Sequence, residues 1–201
     1  MEILKIAPRG FGSNTYLLTA DGKSAIAIDP SQPRVLEEAE KRGLKIEYVI
    51  LTHGHFDHIG GCAALQAVGA KIGCLAGEED LALHNNLGEV YGSGPVPPFH
   101  FDFSFQDEEV LHLLGIEIKV IATPGHTSGG ACFLVGDKLF TGDTLFAGNV
   151  GRTDGPTGNV LELMMSLNRL SRLEGDYEIL PGHGPASSLE TERKTNGYLQ
   201  W

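Results

Sequence analysis

The chain has 201 residues, of which 41% are hydrophobic and 20% are charged. This balance is typical of a folded globular protein and argues against long disorder. The formal net charge of −11 argues against nucleic-acid binding, which depends on basic surfaces. No apolar run approaches the length of a membrane span, so no membrane partner is expected. The length suits a single domain over residues 1–201.

The ends and the cysteines indicate a cytoplasmic protein. Residues 1–5 lack the basic start and the longer apolar run of a signal peptide. Cys62, Cys74 and Cys132 are odd in number and widely spaced, which favours reduced, buried thiols over a disulfide framework. The oligomeric state is left open by the sequence.

Short strands separated by glycine-rich turns are predicted in the first half, at 3–6, 16–19, 25–29, 46–51 and 70–75. The spacing of Val35, Leu36 and Ala39 predicts a helix over 33–42, and a second helix is predicted to start near 59–61 and to end at 68. Residues 85–106 contain several glycines, prolines and phenylalanines. They are interpreted either as a surface loop packed on the core or as a lid over a binding site.

The second half repeats this outline. Strands are predicted at 110–113, 116–121, 132–135 and 138–141, followed by helices at 159–173 and 189–196. Val160, Met164, Leu167 and Leu170 are predicted to form the buried stripe of the first of these helices. Strands followed by helices, twice, favour two facing sheets with helices outside.

The segment from Thr52 to His58 concentrates potential metal ligands directly after the apolar strand at 46–51. His53 and His55 are two residues apart, which places both side chains on one side of an extended segment. Asp57 and His58 follow where the chain must turn, so they can serve a second position nearby. A single histidine is most often a core or surface residue, but four ligand types this close predict a metal site.

Three further residues that could bind a metal each follow a strand-like run that ends in a glycine turn: His126, Asp143 and His183. Each local motif alone is weak, since Pro-Gly-His is usually just a turn. Strand ends at one edge of a sheet gather sites from distant sequence, so these residues are expected to converge on the first segment. The resulting five histidines and two aspartates would suffice for two metal ions.

In this ordered pattern, from His-x-His-x-Asp-His at 53–58 to His183, the chain resembles the metallo-β-lactamase superfamily. Thr-Gly-Asp-Thr-Leu-Phe at 141–146 and Gly-Arg-Thr-Asp at 151–154 make it most similar to small glyoxalase II-like hydrolases. The resemblance implies an α/β fold, the αββα four-layer sandwich of two mixed β-sheets. It also implies a first metal bound by His53, His55 and His126, a second bound by Asp57, His58 and His183, and Asp143 bridging both.

The resemblance further implies a substrate, a small molecule such as the anionic glutathione thioester S-D-lactoylglutathione. Full-length glyoxalase II enzymes carry an additional C-terminal helical region that helps hold glutathione, whereas this sequence stops at Trp201. The resemblance therefore covers the catalytic core and does not predict how glutathione would be bound.

Two divalent ions, with zinc expected and iron or manganese as alternatives, would supply a bridging hydroxide at neutral pH and polarise the thioester carbonyl. Asp57 is predicted to orient that hydroxide. Arg152 is predicted either to grip a substrate carboxylate or to pair with Asp154 and pin its loop.

Other activities remain open at this stage. Persulfide dioxygenases of the same superfamily share the Gly-Arg-Thr-Asp segment and use one iron, at positions matching His53, His126 and Asp143. A lactone, a β-lactam, another ester or a phosphodiester are alternative substrates for a two-metal site. A non-catalytic metal-binding protein is disfavoured, because structural zinc sites are closed four-ligand cages.

Overall fold

The first of two β-sheets contains most of the first half of the chain. A computed structural model describes residues 1–200, so Trp201, the last residue of the predicted domain, lies outside the described residues. The strands lie in sequence order across the sheet: β1 (Glu2–Ile6), β2 (Thr15–Thr19), β3 (Ser24–Ile28), β4 (Lys45–Ile50), β5 (Lys71–Leu75) and β6 (Phe103–Phe105). β1 to β3 pair antiparallel and β3 to β6 pair parallel, so the sheet is mixed.

The second sheet is also mixed and contains the second half of the chain. Its strands are β7 (Val110–Leu113), β8 (Ile116–Ala122), β9 (Ala131–Val135), β10 (Lys138–Gly142), β13 (Glu178–Pro181) and β14 (Ser187–Ser188). They lie in the order β14-β13-β10-β9-β8-β7, and β10 pairs parallel with β13 while the other pairs are antiparallel. A separate hairpin joins β11 (Leu145–Phe146) to β12 (Asn149–Val150).

Helices cover the outer faces of both sheets. They are α1 (Arg34–Glu40), α2 (Phe56–Ile59), α3 (Cys62–Ala67), α4 (Glu79–His84), α5 (Val160–Ser171) and α6 (Leu189–Thr195). Alternate residues of each strand point to opposite faces. Ile50 therefore packs with Phe133 and Phe140 between the sheets, while Val49 packs with Leu65 of α3 on the outer side. The predicted αββα sandwich is confirmed.

Most predicted strands and helices agree with the structure within two residues, and the helix predicted to start near 59–61 and end at 68 corresponds to α3. The short helix α2 before it was not predicted, and Gly60 and Gly61 separate the two helices. A Cβ on Gly60 would lie 2.5 Å from the carbonyl oxygen of Ser31, so only glycine permits this close approach. Because α2 begins at Phe56, the ligand types Asp57 and His58 lie on a helical turn.

The segment 85–106 packs phenylalanines against the core, as one of its two interpretations predicts. Its end forms β6, where Phe105 is fully buried between the sheets, while Phe99 and Phe101 are partly buried against the outer face of the first sheet. The preceding helix α4 was not predicted, and neither were the short strands β11, β12 and β14.

The predicted buried stripe of α5 is partly wrong. Leu167 and Leu170 are buried as predicted, but Val160 is 56% exposed and Leu163 is buried instead. The side chain of Asn159 caps the helix by accepting hydrogen bonds from the N–H groups of Leu161 and Glu162. A Cβ on Gly125 would lie 2.1 Å from the nitrogen of Leu163, so it is this side of the helix that meets the loop after β8.

Two further expectations can be compared with the structure. Cys62, Cys74 and Cys132 are all buried and free, as predicted. Among the described residues, no helix has both the length and the apolar character required to cross a membrane.

Candidate metal centre

The candidate ligands meet at the edge where strands of both sheets end. His53 and His55 follow β4 of the first sheet, and Asp57 and His58 lie on α2 directly after it. The other three ligand types follow strands of the second sheet, β8, β10 and β13, and are His126, Asp143 and His183. The structure thus brings together all seven residues that the sequence predicted to converge.

Six of the seven candidate ligands, all except Asp143, fall into two sets of three. In the first set, His53, His55 and His126, one ligand atom from each residue lies within 4.8 Å of the others. The same holds for the second set, Asp57, His58 and His183. Within the first set, Nδ1 of His55 lies 2.9 Å from Nε2 of His126. This is the convergence of ring nitrogens that a shared cation requires.

Asp143 lies between the two sets. Its Oδ1 is 3.3 Å from Nε2 of His58, and its Oδ2 is 3.6 Å from Nε2 of His126 and 3.5 Å from Nε2 of His183. One carboxylate therefore faces histidines of both sets. In an interior this arrangement concentrates negative charge where cations would bind.

Several of these atoms are buried without a hydrogen-bond partner. Among the described residues, they include Nε2 of His53, His55 and His58 and Oδ1 of Asp143. An unpaired buried polar atom costs about 1–3 kcal/mol, so a cluster of them calls for a ligand. Imidazole nitrogens and carboxylate oxygens are donors suited to zinc, iron and manganese. The residues present therefore fit divalent metal ions.

Two of the candidate ligands, His126 and His58, form hydrogen bonds through Nδ1 that fix the orientation of their rings. Nδ1 of His126 donates to the carbonyl oxygen of Arg152 at 2.7 Å, and Nδ1 of His58 donates to the Asp29 carboxylate at 2.8 Å. In the neutral form of each ring, this bond leaves Nε2 with the lone pair that can bind a cation.

Asp29 is a functional candidate that the sequence analysis missed. Its Oδ1 accepts the N–H of Thr52, and its Oδ2 accepts both the Thr52 hydroxyl at 2.6 Å and the His58 ring. The Thr52 hydroxyl also lies 3.1 Å from Nδ1 of His53. Asp29 therefore orients one histidine of each set, directly for His58 and through Thr52 for His53.

A third group of ligand types, Asp29, His53 and His58, also has ligand atoms within 4.8 Å of one another. The hydrogen bonds from Thr52 and His58 already occupy the Asp29 carboxylate, so Asp29 acts as outer support. The signal in the sequence was the same as for the other ligands, an aspartate directly after a buried strand. Its φ of 50° is uncommon for a residue other than glycine and sets the carboxylate under Thr52.

Burial and charge act differently on the two sets. Burial, and to a smaller extent neighbouring histidines, lower the pKa of His53 and His55. The pKa of His55 is lowered to about 3 by these causes together. Burial also opposes the charged form of His58, but the carboxylates of Asp143 and Asp29 outweigh it and raise the pKa of that ring. His53 and His55 therefore present neutral imidazoles, the form that binds metal, while the carboxylates beside His58 attract positive charge.

Glycines allow the loops to approach. A Cβ on Gly182 would lie 2.4 Å from Oδ1 of Asp143 and 2.6 Å from Cε1 of His58, and a Cβ on Gly151 would lie 1.8 Å from the carbonyl oxygen of Asp143. The turns that the sequence shows next to the ligands are thus required by the packing of the site itself.

A cavity of about 390 Å³ opens above the ligands. Apolar side chains form part of its wall: Phe11, Phe56, Leu87 and Tyr91. Arg152 also lines it and pairs with Asp154 through two hydrogen bonds of 2.5 and 2.8 Å, while donating another to the Tyr91 hydroxyl.

Comparison with known proteins identifies relatives and structures that match nearly the whole chain. The hydroxyacylglutathione hydrolase GloC of Haemophilus influenzae is 35% identical over 209 residues, covering 99% of this chain and 98% of that protein. The crystal structure of BLEG-1 B3 metallo-β-lactamase superposes with a TM-score of 0.91 at 27% identity, covering 100% of both chains. The crystal structure of TTHA1623 in a di-iron-bound form has a TM-score of 0.87 at 31% identity, covering 98% of this chain and 100% of that one.

The family model of the metallo-β-lactamase superfamily matches residues 8–183, a span that contains all seven candidate ligands. That span exceeds half of the chain and both sheets contribute to it. The chain therefore belongs to the metallo-β-lactamase superfamily, and this membership supports a hydrolase that uses divalent metal ions.

Proposed function

We propose that the protein is a two-metal hydrolase that cleaves a thioester such as S-D-lactoylglutathione. The observation that carries this proposal is the position of Asp143, whose carboxylate faces histidines of both sets. A relative of nearly the same length is named a hydroxyacylglutathione hydrolase, which supports the substrate class. A similar structure in a di-iron-bound form supports the number of metal ions.

In this proposal His53, His55 and His126 would hold one ion, Asp57, His58 and His183 would hold the other, and Asp143 would supply a carboxylate to both. Zinc is our expected metal, and iron or manganese suit the same nitrogen and oxygen donors. Divalent ions bound there would lower the pKa of a water and polarise a carbonyl oxygen. Because both sheets supply ligands, we further propose that residues 1–201 act as one hydrolase domain.

Asp57 is the proposed catalytic residue of this site. Its Oδ2 lies 3.1 Å from Nε2 of His183 and 3.8 Å from Nε2 of His58, and the residue lines the cavity. Burial opposes ionisation of Asp57, but His58 and His183 outweigh it and lower the pKa of the carboxyl group. The ionised carboxylate can accept a hydrogen bond from the attacking water and so orient it toward the substrate carbonyl.

The cavity wall is suited to an acyl group. Phe56 stacks on Tyr91 with 5.8 Å between the ring centroids, and Phe11 and Leu87 line the same space. These apolar side chains would exclude water around the bound thioester while the ligand floor remains polar. Arg152 stands at the wall beside them, where it can meet an anionic substrate once it gives up part of its pairing with Asp154.

The first prediction concerns Asp57. The zinc-loaded protein is expected to hydrolyse S-D-lactoylglutathione, and Asp57→Ala to lower kcat by about 100- to 10,000-fold, the scale of a positioned acid–base group. Asp80→Ala is the matched control, since the Asp80 side chain is 81% exposed. Thiol release monitored with a chromogenic reagent measures the rate.

Full hydrolysis by Asp57→Ala would remove the proposed role of that residue. A wild-type protein that leaves the thioester intact but consumes oxygen with glutathione persulfide would be a dioxygenase instead. Cleavage of a lactone, a β-lactam or a phosphodiester in place of the thioester would keep the two-metal site and change the substrate class.

The second prediction distinguishes the two interpretations of Arg152. If its guanidinium binds a substrate carboxylate, Arg152→Ala should raise KM for the anionic thioester about fivefold, the scale of an exposed ion pair. Asp154→Asn should lower KM, because it frees the same guanidinium. Steady-state kinetics with both variants would contradict the substrate role if KM stayed at the wild-type value in each.

The third prediction concerns Asp29, which orients one histidine of each set. Asp29→Asn replaces one acceptor oxygen with a donor, so Thr52 or His58 loses its partner. Zinc affinity should fall by about 10- to 100-fold, as for other outer partners of metal-binding histidines. Competition with a chromophoric chelator measures the affinity, with exposed Asp80→Asn as the control. Wild-type affinity in Asp29→Asn would show that the hydrogen bonds of Asp29 do not support the ligands.

A further inference from the structure

Glu78 is a buried carboxylate outside the ligand set. It lies between β5 and α4, its side chain is fully buried, and within residues 1–200 it forms no ion pair. Glutamate is almost never fully buried unless its charge is paired. Hydrogen-bond partners must therefore stabilise the Glu78 carboxylate in place of an ion pair.

Those partners are two backbone N–H groups, on loops that follow strands of different sheets. Oε1 accepts the N–H of Gly54 at 2.9 Å, and Oε2 accepts the N–H of Gly129 at 2.8 Å. Gly54 lies between His53 and His55, on the loop after β4. Gly129 lies three residues after His126, on the loop between β8 and β9. A single carboxylate thus joins the two loops that supply the first set.

The packing around Glu78 is tight on both sides. A Cβ on Gly129 would lie 2.6 Å from Oε2 of Glu78, and a Cβ on Gly54 would lie 2.8 Å from the backbone of Ala82 in α4. The N–H of Ala82 in turn donates to the carbonyl oxygen of Glu78. The start of α4 therefore lies directly against both loops, with Glu78 between them.

The second set has other supports. The carbonyl oxygen of Asp57 accepts the N–H of Ser13 at 3.1 Å, His58 is bonded to Asp29, and the carbonyl oxygen of Gly182, next to His183, accepts the N–H of Asn14 at 2.7 Å. The hydrogen bonds of the Glu78 carboxylate reach none of these residues. A change in Glu78 should therefore act on one set only.

We propose that Glu78 is a positioning residue for the first metal-binding set, holding the loop of His53 and His55 at a fixed distance from the loop of His126. This inference rests on the proposed two-metal function. Glu78 acts through the backbone of Gly54 and Gly129 and does not itself contact a metal ion. Its carboxylate form is required, because both oxygens must accept a hydrogen bond.

The decisive experiment is stepwise zinc binding by Glu78→Gln. Glutamine keeps the shape of the side chain but offers one acceptor oxygen, so one loop loses its bond. One of the two zinc equivalents should bind about 10- to 100-fold more weakly, and the other should be unchanged. Glu79→Gln is the matched control, since it removes the same charge one residue later, where within residues 1–200 the carboxylate bonds only to the N–H of Gly77. Chelator competition on the metal-free protein measures both equivalents.

Two backgrounds assign the weakened equivalent. In His183→Ala, where the first set holds the remaining ion, Glu78→Gln should weaken its binding. In His126→Ala, where the second set holds it, Glu78→Gln should have no effect. Asp29→Asn provides a contrast, because Asp29 orients one histidine of each set and its effect is not confined to the first set.

Equal weakening of both zinc equivalents by Glu78→Gln, or of neither, would overturn the proposal, as would a fall in the urea midpoint of the metal-free protein with unchanged zinc binding. Binding of fewer than two zinc ions by the wild-type protein would instead refute the proposed function. If Glu78→Gln does not fold, Gly129→Ala disturbs the same contact from the other side. It should give the same selective loss, and wild-type zinc binding in that variant would also overturn the proposal.

Discussion

The structure depends on one electrostatic constraint, the placement of the Asp143 carboxylate, whose side chain is only 12% exposed, among histidines that belong to two sets. A carboxylate in such a place is stable only when positive charge compensates it. Burial opposes ionisation of Asp143, yet His58, His183 and His126 outweigh it and hold the pKa of the carboxyl group below its ordinary value. The ionised carboxylate of Asp143, together with the ring nitrogens that face it, makes the edge of the two sheets a site for cations.

Meeting this constraint requires both sheets. The first sheet supplies the segment from His53 to His58, and the second supplies the residues after β8, β10 and β13. No local segment contains both sets, so the geometry of the site is a property of the packing between the sheets. Glycines at the strand ends permit the close approach, as the positions of Gly182 and Gly151 show. Asp29 then supports histidines of both sets through hydrogen bonds, and Glu78 supports the two loops that carry the first set.

The sequence predicted much of this, because ligand types after buried strands leave a clear pattern. Two facing sheets followed from the alternation of predicted strands and helices, and the αββα sandwich from the family resemblance, whereas the order of strands within each sheet was not predicted. The outer supports were not predicted. Asp29 follows a strand like the other ligands, but an isolated aspartate before a proline is indistinguishable from an ordinary turn. Glu78 and Glu79 are adjacent and chemically identical, and only the packing of α4 decides which of them is buried. The buried face of α5 was misassigned for a similar reason, since apolar residues occupy both sides of its first turns and the approach of Gly125 selects Leu163.

The most direct test of the account is anomalous diffraction at the zinc absorption edge from crystals of the zinc-loaded protein. We expect two peaks, one among His53, His55 and His126 and the other among Asp57, His58 and His183, each within bonding distance of Asp143. A single peak, or a peak among Asp29, His53 and His58, would contradict the claim that Asp143 joins two metal-binding sets.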